Sequence, residues 1–135
     1  GLMSAGLNAE NRKIFVKADG TAGAQSSVER GRLETIELLK RIPDVDGILC
    51  ETDMLAVGCM KELKRQGISV PEQVSVIGVD NTLYGQVSTP SLTTVDNKIR
   101  EMSLAAANML LDVLQKHQAD HTRLFQTELI QRESS

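Results

Sequence analysis

The chain has 135 residues, 41% hydrophobic and 24% charged, with 18 acidic against 15 basic side chains and a net charge of −3. That composition belongs to a soluble globular domain and excludes a disordered, collagenous or coiled-coil chain. It supplies no basic excess to grip a nucleic-acid backbone, and the apolar runs fall far short of the roughly 20 residues of a membrane helix.

Residues 1–8 read as the tail of a helix, so Gly1 falls inside an element and the chain is expected to be part of a longer one. Residues 14–18 (IFVKA) carry a strand pattern, and residues 19–25 form a small, polar loop. Ser26 and Glu29 have capping-box spacing and predict a helix with Val28, Leu33, Ile36 and Leu39 on one stripe, stopped by Pro43. Residues 47–50 (GILC) are a short buried strand. Thr52 and Asp53 then open a helix marked by Met54, Val57, Met60 and Leu63, which runs to about Gln66 and is capped by Gly67. A turn at Pro71 introduces a strand over 74–79. Residues 80–91 are polar and irregular, and 92–95 (LTTV) form another strand. Asn97 can cap a long helix whose stripe is Ile99, Met102, Ala106, Met109, Leu110, Val113 and Leu114. Residues 124–130 are a last strand before the polar end QRESS.

Helices alternating with short apolar strands predict an α/β fold: an open parallel sheet with helices on both faces. Cys50 and Cys59 each sit in an apolar run and read as small buried hydrophobes, which fits a reducing cytoplasm. Aromatic side chains are scarce, being Phe15, Tyr84 and Phe125.

In such sheets ligands bind beyond the carboxyl ends of the strands. The residues placed there are 19–26, Glu51 to Asp53, Asp80 with Asn81, and Asp96 with Asn97. They are mostly hydrogen-bonding groups without positive charge, suited to neutral polyols rather than phosphates. The same residue types also cap helices, and Thr52 and Asn97 have that second reading. Catalytic patterns are weak. Nothing sets a distance between Asp53 and Asp80 that would make them an acid–base pair. His117 and His121 stand four apart but lack a carboxylate or thiolate pattern. There is no nucleophile elbow or phosphate loop, and Gly20 with Gly23 is no dinucleotide fingerprint. No cofactor and no metal is expected.

Four stretches resemble the lactose/galactose repressor (LacI/GalR) family. They are Asp46-Gly47-Ile48-Leu49 leading to Thr52-Asp53-Met54-Leu55-Ala56-Val57-Gly58, the run from Gly67 through Val70-Pro71-Glu72 to Gly78-Val79-Asp80-Asn81, Pro90-Ser91-Leu92-Thr93-Thr94-Val95, and the closing Leu129-Ile130-Gln131-Arg132-Glu133-Ser134-Ser135. Their order and spacing agree along nearly the whole chain. The resemblance implies a periplasmic-binding-protein-like effector domain, of which this chain is the C-terminal part. Residues 1–96 and 122–135 would belong to the C-terminal subdomain, and 97–121 to a helix that packs on the N-terminal subdomain. It further implies a small-molecule effector, a sugar or sugar derivative, that binds between subdomains and changes affinity for operator DNA. The DNA would be held by a helix-turn-helix domain outside these residues.

By the same resemblance, Asp80 is the acceptor for ligand hydroxyls. Thr52 stands where many members place an effector-contacting Asn, and Asp53 follows it mainly as a helix cap. Asn97 matches a polar position near the hinge, and Ser26 falls where many members stack an aromatic ring on the effector. A homodimer would pair through Val57, Met60, Lys61 and Tyr84. These are the expectations for a cytoplasmic, non-enzymatic, sugar-responsive repressor. A periplasmic sugar-binding protein of an uptake system shares the fold, but the 70–80 stretch and the LTTV strand look more like the repressors.

Overall fold

The computed structural model describes residues 27–115 and 122–135. The expected elements over 1–8 and 14–18, the loop at 19–25, Ser26, and the pair His117 and His121 lie outside the described residues. Helix α1 spans Ser27–Arg41 and carries Glu29 in its first turn and Lys40 and Arg41 in its last, each charge opposing the helix dipole. Strand β1 (Gly47–Leu49) follows, then helix α2 (Asp53–Arg65), whose N-cap is Thr52 as expected: the Thr52 hydroxyl accepts from the Leu55 amide at 3.3 Å. Gln66 is the C-cap of α2, and Gly67 beyond it takes the left-handed φ of 76° that ends many helices.

Strand β2 (Ser75–Val79) leads to a short helix α3 (Leu83–Gln86), inside the stretch expected to be irregular. Strand β3 (Thr93–Asp96), helix α4 (Ile99–Leu114) and strand β4 (Glu128–Ile130) complete the chain. The strands form one open sheet in the order β1-β2-β3-β4. β1, β2 and β3 run parallel, as the alternation of elements predicts, while β4 returns antiparallel to β3. Pattern alone could not assign that reversal, because the direction of the last strand depends on how far the chain travels through α4 before it comes back.

The core lies between the sheet and α2. Ala56, Cys59, Met60, Leu63, Val74, Val76 and Leu92 form it, with Ile48, Cys50 and Val57 packed alongside. Both cysteines are free thiols, and Cys59 is fully buried. α2 is covered on its other side by α1, so it buries residues on both sides, including Gly58 and Glu62. The expected α1 stripe is wrong in detail: Gly31, Thr35 and Leu38 are buried, whereas Leu33 is exposed. The reason is the close helix crossing. A Cβ at Gly31 would run into the Leu55 carbonyl and one at Gly58 into the Val28 carbonyl, so small residues, not large apolar ones, mark the contact. Glu62 is buried in the same interface, where it accepts from Arg65 at 2.8 and 2.9 Å, from Gln66 at 2.7 Å and from Arg32 at 3.4 Å.

The polar end is not a loose tail. Ser134 is fully buried, its backbone carbonyl accepting from the Val76 amide and its hydroxyl accepting from the Thr93 amide at 2.9 Å while donating to the Val76 carbonyl. α4 is the opposite case. Only Ala105 is buried, while Ile99, Met102, Leu104, Leu110, Leu111, Val113 and Leu114 are exposed, and no described element packs extensively on it. None of the described helices is long and apolar enough to cross a membrane.

Candidate functional site

The carboxyl ends of the parallel strands β1, β2 and β3 bring Thr52, Asp80 and Asn97 to one edge of the sheet. Thr52 is half-buried in extended backbone. Its hydroxyl oxygen caps α2, which leaves its proton to donate elsewhere. Asp80 follows β2 with a φ of 105°, and Asn81 follows it with a φ of 51°. A non-glycine residue at positive φ is uncommon, and two in succession store strain of the kind found at binding sites. The Asp80 amide is tied to the Val95 carbonyl at 2.9 Å, and the Asn97 side-chain amide donates to the Asp80 carboxylate at 3.4 Å. Partial burial, together with the negative charge of Asp53, raises the Asp80 pKa above the usual aspartate value.

Asn97 therefore does not cap α4. The N-cap is Lys98, in left-handed backbone with a φ of 54° and no side-chain cap bond. Its amide donates instead to Asp96 at 2.8 Å, and its ammonium bridges Asp96 at 3.0 Å and Glu128 at 2.8 Å. This clamp joins the exit of β3 to the entry of β4, on either side of α4.

Asp53 is also more than a cap of its own helix. It is fully buried, and its carboxylate accepts from the Thr82 amide at 2.6 Å, the Thr82 hydroxyl at 3.0 Å and the Thr94 hydroxyl at 2.5 Å. Thr82 is the N-cap residue of α3, and Thr94 lies opposite Gly78 across the β2–β3 pair. Gly78 makes room for this: a Cβ there would stand 2.5 Å from the Asp53 carboxylate. Asp53 thus lies beneath the edge, pinning α2, α3 and β3 together. Asn81 and Arg132 belong to the same neighbourhood, and Arg132 drew no notice as a site residue because it sits in the closing polar stretch. Two charges followed by two hydroxyls there, Arg132-Glu133-Ser134-Ser135, were the available signal.

Of the surface residues expected to pair two copies, Met60 is buried in the core and Val57 packs against it. Lys61 and Tyr84 are exposed, and Leu83 and Val87 beside Tyr84 are exposed too. Among the described residues no group of His, Cys, Asp and Glu side chains could hold a metal ion. A shallow groove of about 410 Å³ lies at the other end of the sheet, lined by Met60, Lys64, Ile68, Val70 and Pro90 among others, away from the strand carboxyl ends.

The periplasmic binding protein-like domain family matches residues 3–135. The transcriptional repressor CytR of Escherichia coli (strain K12) is 34% identical over 123 residues, which are 90% of this chain and 36% of the repressor. The ribose operon repressor of Halalkalibacterium halodurans is 31% identical over 127 residues, 93% of this chain and 37% of that protein. The chain thus spans little more than a third of these curated relatives. Among solved structures, a LacI family regulator from Arthrobacter sp. FB24 in complex with lactose superposes with a TM-score of 0.73 at 31% identity, covering 83% of this chain and 43% of that one. A CelR–cellobiose complex gives 0.79 at 27% identity, covering 99% and 39%.

Proposed function

The chain belongs to the periplasmic binding protein-like domain family, with LacI-family transcriptional regulators as its relatives, and from that premise we propose that it senses the effector of a sugar-responsive repressor. The observation that supports this most is the edge formed by Thr52, Asp80 and Asn97, braced from beneath by the buried Asp53. Asp80 accepts from sugar hydroxyls. Asn97 and Thr52 supply donors beside it, and Asp53 keeps the strand ends in place without touching the sugar. Ser26, which precedes α1 in the sequence, is a further contact of the effector in this reading. Hydroxyl, amide and carboxylate groups together recognise a neutral polyol, and a carboxylate disfavours a phosphorylated one. The relatives solved with lactose and with cellobiose suit that class.

The chain catalyses nothing in this reading. Its effector binds one geometry of an intersubdomain cleft more tightly than another, and that differential affinity shifts the population able to hold operator DNA. The DNA is held by a helix-turn-helix domain, in the cytoplasm, and α4 packs on the N-terminal subdomain through its exposed apolar side. A panel of neutral mono- and disaccharides and their phosphates, read by thermal shift, tests the sensing role. A neutral sugar should raise the Tm of the wild type and not of Asp80→Ala. Stabilisation by the phosphorylated sugars alone, or equal stabilisation of the variant, refutes it.

Pairing of two copies through α3 and the outer side of α2 is the second part of the reading. With Met60 and Val57 in the core, the pairing surface rests on Tyr84, Leu83, Val87 and Lys61. Tyr84→Glu should convert a dimer to a monomer in sedimentation velocity, and an unchanged profile would count against this surface.

A further inference from the structure

We propose that Arg132 and Asn81 are positioning residues for Asp80: Arg132 reaches from the segment after β4 to fix the Asn81 side chain, and Asn81 holds the strained turn that aims the Asp80 carboxylate at Asn97. The inference rests on the sensing role of Asp80 proposed above, and it names how that carboxylate is held.

The guanidinium of Arg132 makes two bonds. One nitrogen donates to the Asn81 side-chain carbonyl at 2.6 Å and the other to the Leu92 backbone carbonyl at 2.7 Å. The Arg132 amide is itself fixed, donating to the Thr93 hydroxyl at 2.9 Å. Arg132 is therefore anchored at Leu92, just before β3, through its guanidinium and at Thr93 through its backbone amide. Asn81 is held from the other end as well: its side-chain nitrogen lies 3.5 Å from the Asp96 carboxylate, and its backbone amide donates to the Thr94 hydroxyl at 3.3 Å. Three tethers from β3, β3's exit and the closing segment thus meet on one residue with positive φ.

Asp80 by contrast has few ties of its own. Its amide bonds Val95, and its carboxylate has one long bond from Asn97. A residue at a φ of 105° would relax toward ordinary backbone if its neighbour were released. The fork of Arg132 suits the task because it reaches two carbonyls in fixed relative geometry, which a lysine cannot do. Asp96, which accepts from Asn81, is the same carboxylate that the Lys98 clamp uses. The turn carrying Asp80 is consequently continuous, through side-chain hydrogen bonds, with the crossing point into α4.

The test is a carbon-detected NMR titration of the Asp80 carboxyl in the whole 135-residue chain, with no sugar added. In the wild type the midpoint is expected above the ordinary aspartate value of 3.8, because the turn keeps the carboxylate partly out of water and near Asp53. Arg132→Leu removes the bond that fixes the Asn81 side chain. Release of the turn into water would lower it toward 3.8. The expected result is the fall. A rise, or no change, overturns the proposal.

Asn81→Gly is the companion variant should Arg132→Leu fail to fold. Glycine accepts a φ of 51° freely, so its Tm should hold while the two side-chain tethers, to Arg132 and Asp96, are lost. A folded Asn81→Gly protein with an unmoved Asp80 midpoint also overturns the proposal. Because no sugar enters the titration, a failed sugar panel would sink the sensing role and leave this result standing.

Discussion

Replacing Asp53 with alanine should destabilise the fold by about 4 kcal/mol, within a range of about 2–6. The substitution strips the acceptor from three donors, the part-buried Thr82 amide and hydroxyl and the buried Thr94 hydroxyl. The amide belongs to the start of α3 and has no freedom to turn, so its orphaning costs about 1–3 kcal/mol. The two hydroxyls can rotate in search of other acceptors, and each loses about 0.5–1.5 kcal/mol. Asparagine is the informative control. Its oxygen can still serve Thr82 while its amide donates to the Thr94 hydroxyl, so the cost should fall to about 1–2 kcal/mol, the loss of charge assistance. In urea, where a small domain has an m of about 1–3 kcal/mol/M, Asp53→Ala should lower the midpoint by more than about 1 M, and Asp53→Asn by clearly less. A cost below about 1 kcal/mol for alanine would refute the bracing role. So would an asparagine variant as unstable as the alanine one, since the reasoning depends on which atoms accept.

Ser134→Ala should cost about 1–3 kcal/mol in the same urea assay, because the Thr93 amide and the Val76 carbonyl both lose a buried partner. A neutral result would mean that water replaces the hydroxyl. Glu62 supplies a pH dependence. Hydrogen bonds from Arg65, opposed by burial and reinforced by Gln66 and Arg32, hold its pKa down to about 2, against an ordinary 4.5. A carboxylate whose pKa is lowered by folding contributes stability that is complete above the unfolded value and is lost as pH falls through the folded one. Glu62→Gln should therefore be less stable than the wild type at pH 7, with the gap closing between about 4.5 and about 2. A gap that stays constant across that window would show that the residue acts through packing alone.

The places where sequence reading succeeded and failed separate by the range of the interaction involved. Alternation of apolar runs with helical stripes is a local property, so the α/β class, the parallel direction of β1, β2 and β3 and the Thr52 cap of α2 could be read directly. The expectation that candidate residues follow strand ends is nearly as local, because Thr52, Asp80 and Asn97 each come just after a parallel strand, and the Asn97 amide donates to Asp80. The reading of α1 failed because burial at a close helix crossing selects Gly31 and Thr35 by size, against any hydrophobic pattern. Met60 and Val57 were given to a surface for the converse reason. α2 keeps Lys61, Lys64 and Arg65 outward, and only packing reveals that Met60 beside them turns into the core with Val57 against it.

What the sequence by itself determined was the set of elements, their class and the family motifs, since periodicity, caps and turn residues act within a few positions. The tertiary structure alone decided that Asp53 faces Thr82 and Thr94 instead of its own helix, that Asn97 turns to Asp80 and yields the cap to Lys98, and that Ser134 fills a gap between β2 and β3. Those bonds link residues tens of positions apart. A buried polar group must find a partner wherever the fold brings one, and the sequence around it does not say where that will be.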